Sequence, residues 1–402
     1  MKQLYFIIFL LFTCSMEKCF AIGENCLTLQ WASSATTLTD STNLNQPRDL
    51  YVDQNNVVYV LDSGYGRVRR IWPNSTVERT FINAVTGPVF NQSSYILGIQ
   101  GDTNGNLYIL DVNLGRVVKW STTNMNGTVV VGGYGKGYGA NQLNAPCGMF
   151  LDPNTMFIWI ADTYNHRIVR WESPTTGIIV GGSNGSNADQ FNYPFGLFVD
   201  TKDANTLYVA DTYNHRIQQW LSGAKNGTTV AGQTGVAGSS LSVLYYPISV
   251  IGDGNKNLYI LCFSTSSIVK WQVGATVGSL IVGTLTAGSS SNQLYSPYNF
   301  KFGPDYSIYV PDFKNNRTQK FSALCSNATS TTIITTRLTT ASSTIRTIVS
   351  SSTTRLSSST SIPSSSATTT SAQIPSAAAD HNLQWLLMIV PSIIAVMNNY
   401  LI

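Results

Sequence analysis

The segment Ile158–Trp171 reads IWIADTYNHRIVRW, and this motif decides the fold because it recurs along the chain. An apolar run with an aromatic second residue ends in Asp, an Arg follows five residues after the Asp, and a second apolar run ends in Trp or Phe. The Asp position recurs at intervals of 49, 51, 49, 51 and 50 residues. The six copies begin at Val58, Leu107, Ile158, Leu207, Leu258 and Ile308. So regular a period indicates a repeat architecture.

Each repeat predicts four short strands. The first begins with Pro, as in Pro194–Asp200, the second and third are the two apolar runs of the motif, and the fourth is a segment such as Thr228–Gly232. Turn-forming residues separate the strands, for example at Asp102–Asn106. One four-stranded sheet cannot bury both of its faces alone, so the units have to pack side by side. The sequence therefore predicts an all-β fold, a six-bladed β-propeller.

Two copies of the motif, Asp162–Ile168 and Asp211–Ile217, resemble the signature of the NHL repeat, which is named for the tripeptide Asn-His-Leu. The resemblance covers roughly Leu27–Cys325. Copies one, two and six keep the Asp and the Arg but lack the Asn-His pair, and copy five has Cys262 and Ser267 in place of both charges. The family implies a six-bladed propeller and no single function.

The ring needs a closing strand, because the sixth repeat ends after its third strand. Leu27–Trp31 ends 16 residues before Pro47, just as Ile178 lies 16 residues before Pro194, so the N-terminal strand is predicted to complete the last blade. Cys26 and Cys325 would then stand at the ends of the missing hairpin, within reach of a disulfide. Cys147 and Cys262 would lie two blades apart, which predicts two unpaired thiols.

The two ends of the chain differ from the repeats in composition. Residues 1–21 have the pattern of a signal peptide, so the propeller domain is predicted to span residues 22–325. More than half of residues 326–379 are Ser or Thr, and residues 326–382 are predicted to form an O-glycosylated stalk, with an unmodified linker as the alternative. Residues 383–402 are an apolar tail with no Lys or Arg after it, a pattern typical of a glycolipid-anchor signal. The candidate anchor residues are Ser376, Ala377 and Ala378.

These features predict an exported glycoprotein on the outer cell surface. The open alternatives are a retained membrane helix and a secreted protein without an anchor. Only 11% of the 402 residues are charged, so N-glycans would supply polarity that side chains do not. The sequons begin at Asn74, Asn91, Asn126, Asn184, Asn226, Asn316 and Asn327.

The repeated Asp and Arg bracket the turn between the second and third strands. The Asp is expected to cap the backbone of its own turn while the Arg pairs with it, a structural role. The pairs are Asp62 with Arg67, Asp111 with Arg116, Asp162 with Arg167, Asp211 with Arg216, and Asp312 with Arg317. A second Asp recurs at the end of the first strand in the first five repeats and is interpreted as a turn residue, with a ring of calcium sites as the alternative. These residues are Asp53, Asp102, Asp152, Asp200 and Asp253.

The sequence gives little support for catalysis. Propeller lactonases and amidating-lyase relatives hold a central metal with His or carboxylate ligands, and the three histidines here do not make such a cluster. No cofactor and no metal site is predicted, and the net charge of +4 is not concentrated in a basic block that would suit nucleic acid. The chain is therefore predicted not to be an enzyme. The alternative is a metal-dependent lyase or hydrolase with its site in the propeller channel.

Non-enzymatic recognition of an extracellular protein or glycan is the main functional hypothesis. The turns between second and third strands share one face of the ring with the long loops that join the repeats, and loops on a rigid scaffold commonly carry recognition. The candidate binding residues on this face are Tyr65, Tyr164, Tyr213, Phe263 and Phe313. Their alternative role is to pack over neighbouring turns.

Overall fold

A computed structural model of the chain describes residues 26–73, 78–83, 95–123 and 126–327. The predicted signal peptide, nearly all of the stalk, the apolar tail and the candidate anchor residues lie outside these ranges. Within the described residues, no helix has the length and apolar character needed to cross a membrane.

The described chain is built from strands, which we number in chain order. The strands of the N-terminal segment and the first two blades are β1 (Cys26–Trp31), β2 (Thr36–Thr39), β3 (Pro47–Val52), β4 (Val58–Asp62), β5 (Arg67–Ile71), β6 (Glu78–Asn83), β7 (Ile96–Gly101), β8 (Leu107–Asp111), β9 (Arg116–Ser121) and β10 (Asn126–Gly132). The next two blades contain β11 (Gly148–Leu151), β12 (Ile158–Asp162), β13 (Arg167–Trp171), β14 (Gly177–Gly181), β15 (Pro194–Asp200), β16 (Thr206–Asp211), β17 (Arg216–Trp220) and β18 (Thr228–Gly232). The last strands are β19 (Pro247–Gly252), β20 (Asn257–Cys262), β21 (Ser267–Gln272), β22 (Ser279–Val282), β23 (Lys301–Phe302), β24 (Ile308–Asp312), β25 (Arg317–Phe321) and β26 (Ala323–Asn327).

Six four-stranded antiparallel sheets form the blades. Blades 1 to 5 each use four consecutive strands, from β3–β6 through β19–β22, and blade 6 combines β23, β24 and β25 with β2. The first strands of neighbouring blades lie against one another, so they surround the central axis. The predicted all-β, six-bladed propeller is confirmed.

The hydrophobic core lies between the blades, and the two-residue period of each second strand explains how it forms. In β12, Ile158 and Ile160 pack into the cluster shared with blade 2. The alternate residues Trp159 and Ala161 pack into the cluster shared with blade 4. Because successive side chains point to opposite faces of a strand, one apolar strand holds two interfaces together.

In blades 2 to 5, the Trp at or near the end of the third strand packs against the preceding blade. Trp220 is 2% exposed and belongs to the cluster between blades 3 and 4. Gly181 lies on β14 of blade 3, and a Cβ at this position would come within 2.4 Å of the Trp220 ring. The glycine thus makes room for the indole of the next blade, whose burial contributes a few kcal/mol.

The strand that closes the ring is β2, not the predicted Leu27–Trp31. β2 pairs with β25 through Thr36 opposite Lys320 and Thr39 opposite Thr318. Strand β1, which contains Leu27–Trp31, pairs instead with β26 in a separate two-stranded sheet. The predicted 16-residue spacing fails because the linking loops differ in length: β14 ends 13 residues before Pro194, whereas β2 ends 8 residues before Pro47.

The cysteines divide into two groups. Cys325 on β26 is disulfide-bonded. The side chain of Cys26 is not among those described, so its pairing with Cys325 stays a prediction, although the backbone of both residues lies in the β1–β26 sheet. Cys147 and Cys262 are unpaired thiols, the first half-buried and the second buried.

Candidate functional site

Each predicted Asp–Arg pair forms a hydrogen-bonded hub beside the loop that links two blades. In blade 4, Asp211 accepts a hydrogen bond from Arg216 Nε at 2.8 Å and from Asn214 Nδ2 at 2.8 Å. Arg216 Nη2 also donates to the carbonyl oxygens of Asn187 and Gln190 in the loop before the blade. The same contact between carboxylate and Arg Nε occurs in blades 1, 2, 3 and 6. In blade 5, which lacks both charges, hydroxyl oxygens of Thr265 and Ser267 lie 2.7 Å apart instead.

The hubs differ from the prediction in what the Asp caps. Asp211 Oδ1 accepts the backbone N–H of Asn192, which belongs to the linking loop, and Asp162 accepts that of Asn144 in the same way. Capping of the Asp's own turn, as predicted, occurs in blade 2, where Asp111 accepts from Leu114 at 3.2 Å. The pairs therefore hold the linking loops on the scaffold.

The histidines of the motif extend the same hubs. His166 and His215 have φ values of 53° and 56°, in the left-handed region, and each follows a short 3₁₀ turn. His166 Nδ1 accepts the N–H of Tyr193 at 3.1 Å, and His215 Nδ1 accepts that of Tyr246 at 3.3 Å. In blade 6, Asn316 Oδ1 does the same for Gln46 at 2.8 Å. The imidazoles therefore act as hydrogen-bond acceptors.

We expect the double variant His166→Asn/His215→Asn to lose less stability on acidification than the wild-type chain. Burial lowers the pKa of both imidazoles below the usual 6.5. As the pH falls, the imidazoles of the unfolded chain therefore take up protons at a higher pH than those of the folded chain. The free energy of unfolding that these histidines contribute is present above pH 6.5 and is lost as the pH falls toward the lower pKa of the folded state. Asn accepts the same hydrogen bond without titrating, as Asn316 shows. Thermal unfolding from about pH 7.5 to about pH 5 checks this, and equal pH slopes in both chains would contradict it.

The five predicted binding residues do not form one surface. Phe263 and Phe313 are buried, at 9% and 7% exposure, and both rings contact Tyr298. Tyr65 is 56% exposed, and its ring lies against the Arg67 guanidinium. Tyr164 and Tyr213 are half-buried. Four of the five side chains are therefore at least partly packed, as the alternative role of packing over neighbouring turns predicts.

Tyrosines of blades 3, 4 and 5 make a continuous row of ring contacts. Tyr193, which sequence reasoning missed, joins the two predicted residues, with ring centroids 5.2 Å from Tyr164 and 4.9 Å from Tyr213. Tyr213 in turn contacts Tyr246 at 5.2 Å. We call Tyr164, Tyr193, Tyr213 and Tyr246, which are all half-buried, the mouth wall.

The centre of this face is closed by side chains that the sequence analysis did not single out. In five blades a Pro stands at or just before the start of the first strand, and blade 2 has Ile96 at the equivalent position. The next residue of each blade lies at or just before the start of the first strand, and the first strands surround the central axis. We call these six residues the axial floor: Arg48, Leu97, Cys147, Phe195, Ile248 and Tyr298.

Contacts across the ring show that the floor residues converge. Phe195 of blade 4 and Tyr298 of blade 6 have ring centroids 6.1 Å apart, although blade 5 lies between them in the chain. The Arg48 guanidinium of blade 1 lies 4.8 Å from the Tyr298 ring and interacts electrostatically with Cys147 of blade 3. The recurring Pro was the signal that could have located these residues.

Arg48 is the charged member of the floor. It is 4% exposed, it donates to the Tyr95 hydroxyl, and its guanidinium also lies over the rings of Tyr95 and Phe313. Burial lowers its pKa, while the neighbouring Tyr298 and Cys147 raise it. An arginine nonetheless stays charged at neutral pH.

The other two ionisable floor residues are neutral at physiological pH. Burial raises the pKa of the Cys147 thiol to about 12, so it is not a thiolate. Burial also raises the pKa of Tyr298, which outweighs the opposite effect of Arg48. In the mouth wall, burial raises the pKa of Tyr164 and of Tyr213 to about 12. The mouth thus presents protonated hydroxyl donors around one cation.

A second polar group lies next to the floor, at the junction of blades 6 and 1. Asp49 is 2% exposed and accepts the backbone N–H groups of Leu50 and Ile99, and burial raises its pKa. Lys301 Nζ lies 3.9 Å from Asp49 Oδ1. These contacts tie Asp49 to the scaffold.

The described residues do not fit a resident metal ion. Among residues 26–73, 78–83, 95–123 and 126–327, no three His, Cys, Asp or Glu side chains are grouped closely enough to coordinate one. The Asp residues that end the first strands cap their own turns instead; Asp253, for example, accepts the N–H of Asn255 at 2.8 Å. Within these ranges there is therefore no such group of ligands for the metal-dependent alternative or for a calcium ring.

The described sequon asparagines differ in exposure. Asn126, Asn184 and Asn226 are exposed, and Asn316 is partly exposed with its side chain bonded to Gln46. Asn74 and Asn91 lie outside the described residues, and the side chain of Asn327 is not described. Glycosylation, export and anchoring stay predictions.

Comparison with known proteins places the fold among propellers that include enzymes. No family model matches the chain, and no curated protein matches it. A gluconolactonase from Xanthomonas campestris superposes with a TM-score of 0.52 at 13% identity, covering 74% of this chain and 98% of that one. A putative gluconolactonase gives 0.51 at 12% identity, covering 73% and 93%. A streptogramin B lyase gives 0.49 at 13% identity, covering 75% and 100%. The chain thus shares a six-bladed fold, while membership of the NHL family is not confirmed.

The prediction that the chain is not an enzyme is wrong. It rested on the absence of a histidine cluster and of catalytic motifs. Two solved propellers that share this fold carry gluconolactonase names, one of them as a putative gluconolactonase, so those grounds do not exclude catalysis on this fold.

Proposed function

We propose that the chain is a hydrolase of the lactonase type whose active site is the axial floor. One observation carries the proposal: Arg48, Cys147 and Tyr298 lie together at the axis, whereas the equivalent residues of the other three blades are apolar. Packing alone would favour apolar side chains here, because buried polar groups are costly. The fold shared with the two gluconolactonases supports the same conclusion.

In this site, the Tyr298 hydroxyl donates a hydrogen bond to the substrate. Its raised pKa keeps the hydroxyl protonated at neutral pH, and its contact with Arg48 orients it. In lactone hydrolysis, water adds to the carbonyl carbon, and negative charge develops on the carbonyl oxygen. The ring C–O bond then breaks, and the leaving ring oxygen takes up the proton that the attacking water gives up, so that the product is a hydroxy acid. A hydroxyl that donates to that oxygen stabilises the transition state more than the substrate.

The purified full chain is expected to hydrolyse at least one member of a panel of γ-lactones, δ-lactones and aryl esters. Tyr298→Phe removes the donor and should lower kcat/KM by about 10²-fold or more, the usual effect of losing one such group. Tyr138→Phe is the matched control, because Tyr138 is 71% exposed on a linking loop, and it should leave kcat/KM unchanged. Lack of turnover above background across the panel, or a Tyr298→Phe variant as active as the wild type, would overturn the proposal.

A further inference from the structure

Arg48 has no carboxylate partner among the described residues. Its contacts are the hydroxyls of Tyr95 and Tyr298 and the rings of Tyr95, Tyr298 and Phe313. Residues 84–94, which link β6 to β7 before Tyr95, contain no Asp or Glu. The nearest acidic residue in sequence, Asp49, bonds to the backbone and lies near Lys301.

The hydrogen bonding of Arg48 is also incomplete. The Nε atom is buried and has no hydrogen-bond acceptor in the described structure. A guanidinium has five N–H donors in a planar fork that matches a carboxylate. A cation that is 4% exposed pays a desolvation cost, and neutral phenols compensate it less well than an anion does.

The other blades show that this charge is not part of the repeat. The equivalent residues are Leu97, Cys147, Phe195, Ile248 and Tyr298. The arginines that do recur in the repeat are those of the five Asp–Arg hubs, and in each hub the Arg has its own Asp. Arg48 is therefore a buried cation that neither the hubs nor the blade packing requires.

We infer that Arg48 binds a carboxylate of the substrate, so that the substrate is an organic acid with an apolar or aromatic body. The inference rests on the proposed function only in calling the ligand a substrate. Binding of a carboxylate by Arg48 does not depend on turnover. The carboxylate pairs with the guanidinium at the floor, and the body of the molecule lies against the mouth wall. Half-buried rings such as Tyr164, Tyr193 and Tyr213 offer that body a large, rigid contact area.

Binding of phenylacetate and of its uncharged analogue phenylacetamide to the full chain tests the inference. The two probes share an aromatic ring and differ in the carboxylate. We expect phenylacetate to bind at least about 10-fold more tightly in calorimetric titration, because a buried charge-assisted pair contributes more than about 1.4 kcal/mol. Equal affinities would overturn the inference, and this comparison needs no variant.

Two substitutions locate the site. Arg48→Met keeps the length of the side chain and removes the charge, so it should abolish the preference for phenylacetate while leaving phenylacetamide binding unchanged. Arg69→Met is the matched control: Arg69 is another buried arginine of blade 1, on β5, and contacts Thr80. It should bind both probes like the wild type. Retention of the preference in a folded Arg48→Met chain would overturn the inference.

The outcomes separate this inference from the proposed function. Arg48-dependent binding of phenylacetate without turnover of any lactone or ester supports the carboxylate site and removes the enzymatic proposal. Turnover of neutral lactones by the wild-type chain, together with equal affinities of that chain for phenylacetate and phenylacetamide, removes the carboxylate site and supports the enzyme.

Discussion

Deletion of residues 32–39 should destabilise the propeller by about 5 kcal/mol or more, a large fraction of the usual ~5–15 kcal/mol of folding free energy. The deletion removes β2, the fourth strand of blade 6. Strand β25 then loses its ladder partners on one side, and Gln319 loses its 2.7 Å contact with the side chain of Thr37. It also removes Leu38, which packs against the core between blades 6 and 1.

Deletion of residues 26–30 is the matched control. It removes most of β1 and retains both β2 and Trp31, whose indole donates to Tyr306 and contacts the rings of Tyr259 and Phe302. It also removes Cys26, so any disulfide that Cys26 forms is lost in the control and not in the test. We expect the control to unfold in a single transition at a temperature well above that of the test deletion.

Thermal unfolding and hydrogen exchange measure the difference. A loss of about 5 kcal/mol corresponds to a fall of about 10 °C or more in Tm for a domain of this size. The amides of β25 should lose protection in the test deletion. Since residues 27–31 would then lie directly before Asp40, they could take over the position of β2. A wild-type Tm in the test deletion would show that they do, as the sequence spacing predicted, and would contradict the role of β2.

The period of the motif made the blades predictable, whereas the lengths of the linking loops did not follow from it. Apolar alternation in strands such as β12 requires burial on both faces, and packing in a ring satisfies that requirement. Loop length is under weaker physical constraint, because lengthening a surface loop costs little free energy. Counting from Pro194 to Pro47 therefore placed the closing strand one strand too early.

The site was predicted less well than the fold. The sequence shows which turns carry aromatic residues, but the burial of these residues depends on the side chains that lie beside them in the folded ring. Phe263 and Phe313, for example, both contact the ring of Tyr298. Arg48 was not singled out, because an arginine after Pro47 looks like an ordinary surface residue. Its significance arises from the convergence of six blades on one axis, which only the closed ring reveals.

Arg216→Met should destabilise the chain by about 3–5 kcal/mol, because it leaves Asp211 as an unpaired charge in the interior. The carboxylate has no exposed surface and loses the 2.8 Å bond from Arg216 Nε. In the linking loop, the carbonyl oxygens of Asn187 and Gln190 also lose their hydrogen bonds from Arg216 Nη2. Arg67→Met is the control: the Arg67 side chain is 23% exposed, against 4% for Arg216, so solvent compensates part of the loss and the effect should be clearly smaller.

The pH dependence of the Arg216→Met variant provides an independent readout. Burial already raises the pKa of Asp211 above its usual 3.8, and removal of Arg216 takes away one of the interactions that lower it. A carboxyl whose folded pKa is raised contributes stability below the unfolded pKa and loses it as the pH rises through the folded value. The destabilisation should therefore be smaller near pH 4 than at pH 7, as measured by denaturant unfolding. A penalty that stays constant over this range would indicate lost packing rather than an uncompensated charge.

Blade 5 shows that the cost arises from separating the partners. There Cys262 and Ser267 replace the Asp and the Arg together, and the blade keeps all four strands. Copying that pair into blade 4 as Asp211→Cys/Arg216→Ser should cost less than Arg216→Ser alone, since removing both charges leaves neither buried without a counter-ion. If the double variant is the less stable of the two, the hub contributes through the hydrogen bonds of Asp211 to Asn192 and Asn214 more than through the charge of its arginine.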